Sequence, residues 1–467
     1  MATKAAKKTK KTVKKPKKPT PKSTPASAAE RGSAGVKVRM YRQGFGDCFL
    51  ITLPARDGSP FYVLIDCGVL LGTNEAVKTM TKVVEDIRNT TGRHIDILVA
   101  THEHWDHVSG FLQAQKLFES FTVGEVWVAW TEDDKDPLAR KLAGERHSLA
   151  SALTIAANRM RLSGAAEAAN EIHGLMEFFG AAGRTTKDAL KFVHAMSDKV
   201  RYCLPSDDPV EIGNTGVRAY VLGPPHDEKL IKKYRPSKKE PETYGVDSTN
   251  LFMSAMDGAL GEIEPPAPFD AVFQIPMEAA KQMLFFQEHY WGEDENSAEK
   301  DQSWRAIDAD WLGSSATLAL HLDSATNNTS LVIALELANR EVLLFAADAQ
   351  VGNWLSWQNL EWDVNDQKVT GIDLLSRTSL YKVGHHGSHN ATLRDKGLEL
   401  MSSLKVAMLP VDQAVAKKMG WDRIPLAELV DRLGEITKGG VLRVDNQVPA
   451  ALKGRVTDTA LFYEMSF

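Results

Sequence analysis

The sequence predicts an α/β layered fold, and three observations carry that reading. Apolar strand-like segments and a helical segment follow one another as strand–helix–strand between residues 62 and 100. Five strand ends deliver polar side chains able to bind a cation: Asp66, the cluster His102–His107, His226, Asp348 and the pair His385-His386. The longest apolar runs, Ile97–Ala100 and Leu331–Leu337, have strand length. None approaches the ~18 residues of a membrane span.

Taken in order, Val36–Tyr41 and Cys48–Leu53 read as strands joined by the glycine-rich turn Gly44-Phe45-Gly46-Asp47. Tyr62–Ile65 is a strand ending at Asp66-Cys67-Gly68, and residues 74–91 carry apolar positions at helical spacing (Val77, Met80, Val83, Val84, Ile87). Ile95–Ala100 runs as a buried strand straight into the histidine cluster. A helical insertion is expected over about 134–200 (Leu138–Met160, Ala165–Phe179, Lys187–Met196), more than a simple connection needs. Strand patterning returns at Gly216–Leu222, which ends in Gly223-Pro224-Pro225-His226, and a second, mixed insertion follows over about 227–305. Further strands are expected at Leu318–Leu322, Ser330–Leu337, Glu341–Ala346, Ser379–Val383 and Val406–Pro410, then a helix at Pro425–Glu435 and a finishing strand. The body, 36–467, is read as one domain carrying both insertions.

The chain has 467 residues, 43% hydrophobic and 25% charged, which suits a globular core and excludes wholesale disorder. Three cysteines (Cys48, Cys67, Cys203) without CxxC spacing exclude a disulfide scaffold and a four-cysteine zinc site. Net charge is −5, but residues 1–29 hold ten lysines and no acid, leaving −15 for the rest. Residues 1–35 are therefore expected to form a disordered tail, either a contact for nucleic acid or a solubilising spacer. Its lack of an apolar core, together with the absence of a spanning helix, predicts a cytoplasmic protein without membrane association.

The chemistry concentrates after Ala100. His102 and His104, two apart in an extended segment, project from one face and can hold a cation through imidazole nitrogen. Asp106 and His107 follow where the chain turns into a helix, aimed at a second position about 3.5–4 Å away. Asp348 can bridge the two through its carboxylate oxygens, His226 can complete the first site, and one of His385 and His386 the second. A lone histidine at a strand end is commonly a satisfied surface or core residue. Three histidines and an aspartate within six positions reverse that expectation, since without a metal they would disfavour one another's charged forms.

The pattern His102-x-His104-x-Asp106-His107 resembles the signature of the metallo-β-lactamase fold superfamily, and Asp66 after its strand resembles that family's first motif. Gly44–Cys48, Asn327–Val332 and Lys382–Ser388 resemble the branch containing the hydrolase domain of competence-type DNA-uptake proteins. The likeness covers about 36–130, 215–226 and 318–410. It implies an αββα sandwich with the site at one edge between its sheets. His102, His104 and His226 would hold the first metal; Asp106, His107 and one histidine of the pair the second, with Asp348 bridging. Asp66 would orient a ligand histidine. His386, beside the glycine that ends the strand, is the expected ligand, and His385 the residue facing substrate. His389 reads as a helix-start or surface residue. Ser109 stands where such proteins often have glycine. The uptake relatives are membrane proteins and this chain has no spanning segment, so the transport role is not carried over.

The implied activity is hydrolysis by a water activated between two divalent cations, zinc with manganese or iron(II) as alternatives, with Asp106 orienting the nucleophile. A phosphodiester is the first substrate class, with Lys382 and the run Lys229–Lys239 as candidate cations at the cleft mouth. A small ester, thioester or lactone is the second. A regulatory module that binds partners through the insertions is the non-enzymatic alternative. The tryptophans Trp304, Trp311, Trp354, Trp357 and Trp362 either wall the cleft or fill the core.

Overall fold

The computed structural model describes residues 35–162, 186–233, 324–388, 390–418 and 423–467, with Met1, Trp421 and scattered positions between 275 and 322. The chain first lays down six strands: β1 (Lys37–Tyr41), β2 (Phe49–Pro54), β3 (Pro60–Ile65), β4 (His94–Ala100), β5 (Thr122–Ala129) and β6 (Val200–Cys203). It then builds β7 (Val210–Ile212), β8 (Val217–Gly223), β9 (Val332–Glu336) and β10 (Val342–Phe345), and a separate hairpin of β11 (Glu361–Val364) and β12 (Gln367–Thr370). After β13 (Thr378–Lys382), β14 (Val406–Leu409) and β15 (Val441–Arg443), the last strands, β16 (Val456–Asp458) and β17 (Phe462–Ser466), return to the first sheet. The orders are β16-β17-β1-β2-β3-β4-β5-β6 and β15-β14-β13-β10-β9-β8-β7.

Side-chain alternation explains why these sheets stack. In β4, Ile97 and Val99 face one way and Leu98 and Ala100 the other, and both sets are buried. The first set joins Met40, Ile51 and Val63 against Val221, Ile333, Leu343, Phe345 and Leu380 of the second sheet, which forms the central layer. The second set packs under α1 (Ala76–Thr91), α2 (Trp105–Gln113) and, beyond α3 (Pro137–Leu162), α4 (Thr186–His194). Helix α1 buries Met80, Val83, Val84 and Ile87, one stripe at helical spacing, and ends where Gly92 turns left-handed and its N–H caps Arg88 O. The far face of the second sheet is covered by α5 (Val351–Ser356), α6 (Gly371–Ser376) and α7 (Ala427–Ile436). Trp354, Trp357 and Trp362 belong to that outer core and do not wall a cleft. The architecture is an αββα sandwich.

Residues Gly35–Phe467 form one compact unit. The Lys-rich tail, the helix expected at Ala165–Phe179, His389, Trp304, Trp311 and the cations Arg235, Lys238 and Lys239 lie outside the described residues. Helix α3 runs where helical spacing predicts one. From Thr186 onward, however, the chain is part of the sandwich: Ala189, Leu190 and Val193 of α4 join the outer core, and β6 is the edge of the first sheet. The strand expected at Leu318–Leu322 is not seen at its one described residue, since Leu322 is helical. No helix among the described residues is long and apolar enough to cross a membrane.

Candidate metal centre

Strands β3 and β4 are parallel neighbours, as are β10 and β13, so their carboxyl ends lie at one edge of each sheet. Loops from these four ends, with the β1–β2 loop, build the site, where α/β sheets ordinarily place ligands. Asp66, Ala347, His385 and His386 adopt left-handed backbone there (φ 54°, 43° and 52° for Asp66, His385 and His386). Such conformations cost about 1–3 kcal/mol each and persist only where the surroundings enforce them. At Gly68 the approach is so close that a Cβ would lie 2.2 Å from the Asp106 carbonyl carbon. The adjacent backbone bonds, Cys67 N–H to His107 O (2.8 Å) and Gly68 N–H to Asp47 O (2.9 Å), lock the turn after β3 onto the start of α2. Ser109, which replaces the commoner glycine, fits because its Oγ accepts from Val69 N–H (2.9 Å) and donates to Val69 O (3.0 Å).

Extended backbone at His104 (φ −105°, ψ 150°) starts α2, which brings Asp106 and His107 into its first turn. Two groups of ligand atoms result, each lying within 4.8 Å of one another: Asp106, His107, Asp348 and His386, and His102, His104 and Asp348. In the first, Asp106 Oδ2 is 2.8 Å from His386 Nε2 and 3.8 Å from His107 Nε2. Asp348 Oδ2 is 3.3 Å from His107 Nε2 and 3.7 Å from His386 Nε2. Donors 2.0–2.1 Å from a tetrahedral ion lie about 3.3 Å apart, so the spacing already suits one.

Proton bookkeeping gives an independent test of fit. His107 Nδ1 donates to Asp66 Oδ2 (2.7 Å), and His386 Nδ1 donates to Pro410 O (3.0 Å). Thr101 Oγ1 gives its proton to Asp66 Oδ2 (2.7 Å), and so can accept from His102 Nδ1 (3.1 Å). Each bond directs the remaining nitrogen, Nε2, inward, toward the carboxylates of Asp106 and Asp348 in His107 and His386. His107 Nε2 and Asp106 Oδ1 are buried there without a hydrogen-bond partner. A ring nitrogen 3.3 Å from one carboxylate oxygen and 3.8 Å from another is stable there only with a proton or a cation between them. Four buried carboxylates (Asp47, Asp66, Asp106, Asp348) against one buried ammonium (Lys382) leave a formal −3 to be compensated. The residues fit divalent cations.

The same environment shifts the groups apart. Burial pushes the His102 imidazole well down, with help from His107 and His104, and pushes His104 to about 4. Burial also works to lower His107, but Asp348, Asp47 and Asp106 outweigh it and hold that ring well up. Asp106 is held at about 2 against burial, by His107 and the His386 hydrogen bond. Burial, with the Asp47 carboxylate, raises Asp66 against His107 and Thr101.

Residues 41–150 match the family model of the metallo-beta-lactamase superfamily. The match spans the His102–His107 cluster and Asp66 and stops short of Asp348 and His386, which the fold supplies from the second sheet. It is to the metallo-beta-lactamase superfamily at large and does not single out the DNA-uptake branch. A search of curated proteins finds no match to the chain.

Six of the seven metal ligands expected from the metallo-beta-lactamase resemblance converge: His102, His104, Asp106, His107, Asp348 and His386. His226 does not. Its Nε2 bonds Asp136 Oδ2 (2.8 Å), its ring packs on Trp130 (4.3 Å) and its side chain is 43% exposed. Trp130 Nε1 donating to Pro224 O (2.8 Å) turns that strand end toward the start of α3. His385 stands at the edge of the cluster, Nε2 4.0 Å from Asp348 Oδ2 and 3.4 Å from Asn327 Nδ2, its ring lowered to about 4 by burial. Lys382 is not at any cleft mouth: it is buried, with Nζ 2.5 Å from Asp47 Oδ2, 2.9 Å from Ala347 O and 3.4 Å from Asp348 Oδ1. Lys232, in the run expected to be basic, is spent on Glu145 and Glu228. Asp47 is the site residue that sequence reasoning passed over, although an aspartate inside a glycine-rich loop between two buried strands was the signal. The triad Asp47, Asp66 and His107 also lies within ligand distance, but His107 Nδ1 is committed to Asp66 and Asp47 to Lys382, so it supports the ligands and does not form a third site.

Proposed function

We propose that the chain is a metal-dependent hydrolase holding two divalent cations, with a phosphodiester as its substrate. The observation that carries the reading is the pair of buried ligand groups sharing Asp348. His102, His104 and Asp348 would hold one cation, and Asp106, His107, His386 and Asp348 the other. When bound, such a pair supplies Lewis acidity and lowers the pKa of a water it shares. The residues of the chain do the rest. Asp66 fixes the ring of His107, Thr101 that of His102 and Pro410 O that of His386, so Nε2 of each ring points inward, where a cation would take the place of any proton it carries. Asp106 adds a carboxylate oxygen at the centre, where it can accept a hydrogen bond from the attacking water. His385, neutral near pH 7 and with Nδ1 unpartnered, is placed to hydrogen-bond the substrate at the edge of the cluster.

The likeness of the segment around His385-His386 to DNA-uptake hydrolases and the ten lysines of the tail support a phosphodiester, and with it nucleic acid as partner. A second reading, a small ester, thioester or lactone, is favoured by the burial of Lys382 and by half-buried Glu103 and Glu132 beside the His102–His104 segment. The test is turnover of bis(p-nitrophenyl) phosphate against p-nitrophenyl and thioester substrates by zinc- or manganese-loaded protein. DNA binding is measured across salt concentrations with and without residues 1–35. Metal-dependent phosphodiester cleavage and a steep salt slope that flattens on removing the tail are expected. Ester cleavage alone, with no DNA binding by either form, refutes the phosphodiester reading.

A further inference from the structure

A lysine sealed inside a protein is costly unless its charge is answered on every side. Lys382 is 1% exposed, and β13 explains why: Leu380 faces the central layer, and two residues on Lys382 shares that face at the site edge. Its ammonium finds three acceptors, Asp47 Oδ2, Ala347 O and Asp348 Oδ1. The other oxygen of Asp348, Oδ2, is the one turned to His107, His386 and His385.

We propose that Lys382 is a positioning residue of the metal centre, holding Oδ1 of Asp348 so that Oδ2 is presented to His107 and His386. The inference rests on the metal-centre reading above. Asp348 is the one member common to both groups, so its orientation governs both at once. Asp47 anchors the ammonium from the opposite side, and Ala347 O, one residue before Asp348, ties it to the same loop. A plain structural role is the alternative, in which Lys382 serves only to neutralise Asp47.

The two roles separate in the double variant Lys382→Met/Asp47→Asn. It removes an ammonium and a carboxylate together, so the formal charge of the buried set stays at −3 and long-range attraction for cations is preserved. If neutralising Asp47 were the whole role, the double variant would bind metal as the unaltered chain does. A positioning role loses at least about tenfold in cobalt(II) affinity, the usual range for groups that orient ligands. It also changes the cobalt d–d absorption of both equivalents, with the metal-free circular dichroism unchanged. The single variant Asp47→Asn, which removes one anchor but leaves Lys382 on Asp348 Oδ1, changes the cobalt spectrum less than the double variant does. Cobalt affinity of the double variant within twofold of the original, or a spectrum altered as much by Asp47→Asn alone, overturns the proposal while leaving the metal centre intact. An unaltered chain that takes up no cobalt overturns the metal-centre reading itself, and this inference with it.

Discussion

Replacing Asp66 by Asn tests how the cluster is held, because the substitution keeps shape and removes a charge. Asp66 is fully buried and accepts from Thr101 N–H at Oδ1 (2.8 Å), and from Thr101 Oγ1 and His107 Nδ1 at Oδ2 (both 2.7 Å). An asparagine has one acceptor for these donors. With its NH2 at the Oδ1 position, it faces Thr101 N–H donor to donor, and a buried backbone bond is lost. With its NH2 toward His107, it forces the proton of that ring from Nδ1 to Nε2, the nitrogen turned toward Asp106 and Asp348. The first arrangement costs the metal-free fold about 1–3 kcal/mol. The second costs metal affinity about 10–100-fold, or ~1.4–2.8 kcal/mol. Zinc titration against a competing chelator, with urea unfolding of the metal-free chain, measures both. Affinity within twofold and stability within about 0.5 kcal/mol of the original would refute the orienting role of Asp66.

Two further outcomes follow from the geometry. His226→Ala is expected to leave metal uptake unchanged and to cost about 0.2–1 kcal/mol, since its bond to Asp136 is exposed. A loss of one metal equivalent would return His226 to the ligand set. Glu132 is raised from 4.5 to about 7 by burial and by Glu103, with Arg146 opposing. The folded state therefore holds its proton more tightly than the unfolded chain. That contribution is present below about pH 4.5 and is lost as pH rises through 7. Glu132→Gln should accordingly stabilise the metal-free chain at pH 8 by up to about 3 kcal/mol and change little at pH 5. Equal effects at both values in urea unfolding would contradict this.

Much of the centre was legible because its ligands follow strands whose apolar runs announce themselves. Ile95–Ala100 leads to His102, Glu341–Ala346 to Asp348 and Ser379–Val383 to His386, each within a residue or two of the observed strand. His226 carries the same local signal, a histidine after a strand. What misleads is the direction of its turn, set by Trp130 and Asp136, about 90 residues away in sequence. Lys382 looked like a surface cation because its charge was weighed and its strand was not: every residue of β13 is buried, so a lysine there needs buried partners. Strand β5 escaped notice because it opens on Thr122, Gly124 and Glu125, which leave only the four-residue apolar run Val126–Ala129 to announce it. Strands β6, β7, β15 and β16 are three or four residues long and lie at or next to sheet edges, too short for a period to show. The boundary of the helical insertion was drawn too late for a related reason. The stripe Ala189, Leu190 and Val193 in α4 has the same spacing whether it packs on another helix or on the sheet it in fact covers.

The most direct test of the account is elemental analysis of the full chain after saturation with zinc and removal of the excess by dialysis. Two equivalents per chain are expected, falling to one or none when His107 or Asp348 is replaced by Ala. A chain that retains no zinc, or that retains it equally well without those two side chains, would contradict a centre built from the ends of β4, β10 and β13.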